Sequence, residues 1–154
     1  DCEGRPGAGS ACVVDDTLTG AQCVELMGEA ALRLPCSSVL PFLCLHLDAM
    51  GEFVSFEVTV VDDAERFRRI DVSNRRSQVV LDGDLLQLPL KCDGPGWERL
   101  NLDLDRIVRL AFGTQYLTTC LVRVGATCRL ARVFFQEQPY ADVALPPHLR
   151  VMQK

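Results

Sequence analysis

The chain is poor in aromatic residues and in histidine and lacks any long apolar run, and each shortage removes a class of function. Aromatics make up 6% of the 154 residues and include a single Trp. An exposed aromatic platform for a glycan or small ligand is therefore hard to assemble. Histidine occurs only as His46 and His148. His46 sits in an apolar run, where a structural role is expected, and His148 lies in a Pro-containing stretch. Neither Gly-x-Ser-x-Gly nor His-Glu-x-x-His is present, and no glycine loop could cradle a phosphate. Gly94-Pro95-Gly96 reads as a turn ahead of Trp97. These absences leave no catalytic, cofactor-binding or metal-binding set, so the expectation is a non-enzymatic protein without a cofactor.

The longest apolar stretch, Val39 to Leu47, is interrupted by Pro41 and His46 and falls well short of the roughly 20 residues a membrane helix needs. No membrane partner is therefore expected. What the chain does have is the make-up of an ordinary globular protein: 48% hydrophobic, 24% charged. Its length suits one core. The formal net charge of −5 disfavours nonspecific binding to a phosphate backbone, while leaving room for a local basic face.

There are eight cysteines. Cys44, Cys120 and Cys128 lie in apolar alternating runs, where a thiol behaves as a small buried hydrophobe. No Cys-x-x-Cys pair exists to hold zinc. Reduced structural thiols are expected rather than a disulfide framework. Carboxylates pair at Asp15-Asp16, Asp62-Asp63 and Asp82/Asp84, but none follows a calcium-loop pattern, and acidic residues favour turns and solvent.

The patterning is that of short strands. In Phe53 to Val61, Val54, Phe56, Val58 and Val60 fall on one face, with Ser55, Glu57 and Thr59 on the other. Leu86, Leu88 and Leu90 alternate likewise, as do Leu100 and Leu102. Cys120, Val122 and Val124 are expected to share a face, with Arg123 turned away. Turn residues punctuate these runs, and Gly125 to Thr127 reads as a hairpin turn. One segment has helical spacing: Leu104, Ile107, Val108, Ala111 and Phe112 predict a short amphipathic helix over 104–112. Asp103 is placed to cap it, Asp105 and Arg109 to pair along it, and Gly113 to end it. The predicted organisation is a loose leader over 1–11 and one all-β sandwich over 12–154, ending in a Pro-containing tail.

Arginine is the one charge pattern of note. Arg66, Arg68, Arg69, Arg75 and Arg76 crowd the region after the valine-rich strand, and Arg123, Arg129 and Arg132 decorate the late strands. The guanidinium fork suits protein interfaces. Interspersed acids such as Glu57, Asp62, Asp63 and Glu65 equally fit an ordinary solvated face.

Several segments taken together are specific. They are Phe56-Glu57-Val58-Thr59-Val60-Val61-Asp62-Asp63, Arg68-Arg69 through Val72-Ser73-Asn74, Leu88-Pro89-Leu90, Trp97, and Phe112-Gly113-Thr114-Gln115-Tyr116. After these come Cys128-Arg129-Leu130-Ala131-Arg132-Val133-Phe134-Phe135 and Tyr140 ahead of Leu145-Pro146. In this order the chain, from about Val13 to Val151, resembles the cilia- and flagella-associated protein twenty family. It departs from the family at Gly125, Thr127, Ala131 and an inserted Pro95, and in being acidic where the type member is basic. The resemblance implies a jelly-roll β-sandwich with a short helix, without catalysis or cofactor. It implies a structural place in the ciliary or flagellar axoneme, at the inner junction of the doublet microtubule, supporting motility. Its partners would be tubulin in the microtubule lattice and neighbouring axonemal proteins, with no small-molecule substrate. Candidate partner-binding residues are Arg123, Arg129 and Arg132 of the arginine pattern, with Gln115 and Tyr116 from the family motif. Tyr116 reads equally as a core aromatic, and Trp97 as core rather than contact. Two other readings stay open. One is a centriolar or nuclear (transcription- or splicing-associated) interaction module of the same family, a nucleic-acid role being disfavoured by the acidic balance. The other is a glycan-binding jelly roll.

Overall fold

The computed structural model describes residues 9–15, 22–91 and 96–138. Among them the chain forms β1 (Ser10–Asp15), β2 (Gln22–Met27), β3 (Ala31–Ser38), β4 (Phe42–Asp48), β5 (Val54–Asp62) and β6 (Phe67–Ser73). Then follow β7 (Val80–Asp82), β8 (Leu85–Pro89), β9 (Trp97–Asp103), α1 (Leu104–Phe112), β10 (Tyr116–Ala126) and β11 (Cys128–Gln136). The strands build a five-stranded sheet, β1-β2-β11-β4-β9, and a six-stranded sheet, β3-β10-β5-β6-β8-β7. Four strands of each, β2-β11-β4-β9 and β3-β10-β5-β6, follow jelly-roll winding, the chain crossing between the sheets at every step but β5 to β6. β1 extends one edge, and the β7–β8 pair extends the other, with β8 parallel to β6.

Period-two patterning explains the packing. Val54, Phe56, Val58 and Val60 are buried on the inner face of β5, and Leu43, Leu45 and Leu47 oppose them from β4. Each fully buried side chain of this size contributes about 1.5–3 kcal/mol of apolar burial. The helix buries Leu104 and Val108 against this core. Its ends match the expected signals: the Asp103 carboxylate accepts from the Arg106 N–H, and Gly113 closes it at φ 68°, a left-handed conformation that glycine adopts without penalty.

Four expectations need correction. β1 starts at Ser10, so the last residues of the expected leader are strand. The turn before Cys128 is not a hairpin: β10 pairs with β3 and β5, whereas β11 pairs with β2 and β4. The chain there crosses from one sheet to the other, and the Thr127 hydroxyl accepts from the Gly28 N–H at the adjacent β2–β3 crossing, 3.1 Å away. Cys120 has no register partner on β3 or β5, because β10 bulges between Thr119 and Leu121. Thr119, fully buried, takes the inward position beside Val122 and Val124. Trp97 is half-buried, aligned with Asp48, and stands outside the central apolar cluster. Cys2, Cys92, Pro95, His148 and the Pro-containing tail lie outside the described residues. No helix among the described residues is long and apolar enough to cross a membrane.

Candidate interaction surfaces

The five candidate residues do not converge on one patch. Arg123 is exposed on the outer face of the six-stranded sheet, beside Arg33 of β3 and Glu57 of β5. Arg129 and Arg132 lie on the opposite sheet. Residues three apart on a regular strand face opposite ways, but β11 bulges between Leu130 and Arg132. The bulge returns Arg132 to the face that Arg129 already occupies. Arg129 donates from Nε to Glu25 at 2.7 Å, so much of its charge is met within the fold. Arg132 aligns with His46, which is buried and meets the Phe134 ring edge-on at 5.6 Å between centroids.

Gln115 and Tyr116 divide their roles. The Gln115 backbone exchanges hydrogen bonds with Asp63, its N–H donating to the carboxylate and its carbonyl accepting from the Asp63 N–H, while its side chain is exposed. Tyr116 is only 7% exposed. Its hydroxyl reaches the Ser38 and Leu40 carbonyls and the Thr119 hydroxyl at 2.9, 3.1 and 2.8 Å. The core-aromatic alternative describes this side chain.

The arginine-rich stretch after β5 divides between β6 and the loops that flank it. On β6, Arg68 shares the inward face with Ile70 and Val72 and is buried. It closes the end of the sandwich, donating from Nε to Asp62 at 2.7 Å and from its terminal nitrogen to Asp84 at 2.5 Å, with the guanidinium 4.5 Å from the Phe112 ring centre. Asp62, fully buried, also accepts from the Thr114 hydroxyl and from the Ala64 and Arg66 N–H groups. Burial alone would raise its pKa. The hydrogen bonds from Arg68, Thr114 and the Arg66 backbone, with the Arg68 charge, outweigh that and hold it down to about 2.

Arg75 and Arg76 face outward instead. They border a depression of about 580 Å³ on the outer side of the six-stranded sheet, whose lining includes Phe53, Ser55, Asp71, Ser73 and Val80. The small residues Ser55 and Ser73 pair across β5 and β6. Asn74 pins the rim, its side chain accepting from the Val54 N–H and donating to the Glu52 carbonyl at 2.8 and 2.9 Å. Arg75 stacks over Phe53 at 4.8 Å, and Arg76 donates to Asp71 at 2.8 Å. The sequence reading grouped these arginines with Arg68 and left Phe53 at a strand end. The alternation Arg68, Ile70, Val72 against Arg69, Asp71, Ser73 marks Arg68 as inward, while Arg75 and Arg76 follow the end of β6 at Ser73.

Three of the described thiols, Cys36, Cys120 and Cys128, are poorly suited to nucleophilic work. Cys36 and Cys120 are free and have pKa values raised by burial first, Cys36 also by Cys120. Cys128 is pushed up to about 11 by burial and the nearby Asp48 charge. Among the described residues no group of three or more His, Cys, Asp or Glu side chains is placed to hold a metal ion.

Comparison with known proteins matches the CFA20 domain over residues 13–153. Three similar relatives are each named "Cilia- and flagella-associated protein 20". Those of Chlamydomonas reinhardtii, Paramecium tetraurelia and Caenorhabditis elegans are 34%, 32% and 31% identical over 112 residues, which is 73% of this chain. The match spans 58% of the first two relatives and 55% of the third, so the chain covers little more than half their length. A family model matched along both sheets, at about one-third identity to its ciliary relatives, places this jelly-roll sandwich in the CFA20 domain family as a divergent member.

Proposed function

We propose that the chain is a non-catalytic structural domain of cilia or flagella that works by contact. The observation that carries this reading is the family match over residues 13–153, together with the ciliary and flagellar names of the relatives. The finer proposal places it in the axoneme, at the inner junction of the doublet microtubule. There it would bridge tubulin to neighbouring proteins as a rigid wedge and so support motility. Two properties support a mechanical role. The end of the sandwich is sealed by the Arg68–Asp62–Asp84 cluster, and burial raises the pKa values of Cys36, Cys120 and Cys128.

In this proposal Arg129 and Arg132, brought to one face by the β11 bulge, contact the lattice from the five-stranded sheet. Arg123 and Gln115 serve neighbours elsewhere on the domain, and Tyr116 holds Gln115 in place from behind. Binding energy would come from shape fit and charge pairing. The test is co-sedimentation of the purified protein with stabilised microtubules over a salt series, alongside Arg129→Glu/Arg132→Glu with its fold checked by circular dichroism. Saturable, salt-sensitive pelleting that the folded double variant loses is expected. Pelleting unchanged by the charge reversal would reject this face, and no pelleting at any salt would reject direct binding to intact lattice.

A further inference from the structure

The groove bordered by Arg75 and Arg76 has charge, apolar surface and, among the described residues, an edge strand in one place. The outer face of the six-stranded sheet carries Arg33, Arg69 and Arg123 against Glu57, Asp71 and Asp82, and the loop after β6 adds Arg75 and Arg76 at a rim that also holds Glu52. Arg75 is exposed and held by the Phe53 ring. Arg76 is anchored by Asp71, while its Nε is buried in the groove wall with no hydrogen-bond partner among the described residues. A buried guanidinium N–H that lacks an acceptor is costly unless a bound group supplies one. Beside these cations the lining turns apolar: Phe53 is 54% exposed and Val80 45% exposed. β7, which carries Val80, is the edge strand of its sheet, and among the described residues no strand pairs with its outer side.

We propose that this groove docks an extended acidic segment of a partner protein. Its carboxylates would meet Arg75 and the unfilled Nε of Arg76, since guanidinium–carboxylate bonds are charge-assisted. Its apolar side chains would lie against Phe53 and Val80, over the floor left open by Ser55 and Ser73. Its backbone would run toward the outer side of β7, where strand addition supplies main-chain hydrogen bonds. A lone phosphate or sulfate would use the arginines but leave the apolar border idle, which is why an acidic peptide fits better than an inorganic anion. The inference rests on the groove alone and does not require the ciliary role or the face carrying Arg129 and Arg132.

The test is fluorescence anisotropy of a fluorescein-labelled peptide of alternating glutamate and valine, titrated with the purified protein in the absence of microtubules. Saturable, salt-sensitive binding is expected, with at least about tenfold loss in Arg75→Glu and in Ser55→Phe, which fills the floor. Arg106→Glu, an equal charge change on the exposed side of α1, should bind as the parent does. Thermal unfolding of each variant establishes that it is folded, and Arg75, being exposed, gives a variant whose folding is not at risk. The proposal is overturned if the folded parent binds no better than to the glutamine version of the peptide. It is equally overturned if Arg75→Glu and Ser55→Phe bind within about twofold of the parent, or if inorganic phosphate displaces the peptide at equal concentration. Failure here leaves the microtubule co-sedimentation result untouched, and failure of that experiment leaves this one untouched.

Discussion

Arg68 and Arg75 stand in one arginine-rich stretch, and each lays its guanidinium over a phenylalanine, at 4.5 Å from Phe112 and 4.8 Å from Phe53. Their physical situations are opposite. Arg68 is 8% exposed, points into the sandwich and is met by two carboxylates. The Arg75 side chain is exposed over its ring, and only its backbone N–H is hydrogen-bonded among the described contacts, donating to the Ser73 hydroxyl at 3.2 Å. Whether an arginine points inward from a strand, as Arg68 does on β6, or stands on the loop beyond it, as Arg75 does, and which acids are within reach, decide whether it serves the fold or remains available to a partner. A buried ion pair of this kind is poor evidence of added stability in itself. Removing one member is nonetheless costly, because the other is left charged and dry.

The sharpest way to break the comparison is Arg68→Ala. It should destabilise the domain by about 3–5 kcal/mol, since Asp62 would remain buried without its counter-charge. Chemical denaturation with an unchanged slope would check this, and a cost no larger than that at an exposed arginine would erase the distinction drawn here. The same cluster predicts an acid limb. The Asp62 pKa in the fold, about 2, lies below its ordinary value of 3.8. Its contribution is therefore complete above the ordinary value and is lost as pH falls toward about 2, where the folded-state carboxylate takes up its proton. Unfolding measured across that window should steepen in the parent and flatten in Arg68→Ala.

Tyr116 belongs with Arg68 on the inward side of the comparison. Tyr116→Phe should cost about 1–3 kcal/mol, because the Ser38 and Leu40 carbonyls and Thr119 lose a shared buried partner. A variant as stable as the parent would return Tyr116 to the surface reading. The smallest effect is expected at Arg75. Arg75→Ala should change stability by less than about 1 kcal/mol, the scale of an exposed cation–π contact, as read from denaturant midpoints.

Much of this architecture was legible because its signals are local. The alternation through Val54–Asp62 and the cap residues Asp103 and Gly113 specify β5 and α1 from near neighbours alone. The β10–β11 turn was misread because a tight turn and a crossing between sheets use the same short residues. Pairing with β3 and β2 decides between them, and pairing is long-range. The bulges in β10 and β11 were invisible for a related reason: one extra residue reverses side-chain parity without changing composition. They moved Thr119 to the inward face in place of Cys120 and brought Arg132 beside Arg129. The candidate residues were scattered over two sheets, and the groove was missed because Phe53, Asp71, Arg76 and Val80 come together only when three strands and their loops are folded.

The most direct test of the contact-based role compares doublet with singlet microtubules. Purified full-length protein is added to ciliary doublets stripped by salt and to singlets assembled from pure tubulin, and the retained protein is quantified after washing. The account predicts saturable rebinding to doublets well above that to singlets, at a fixed ratio to tubulin. Equal or absent retention on the two would contradict a place at the doublet junction.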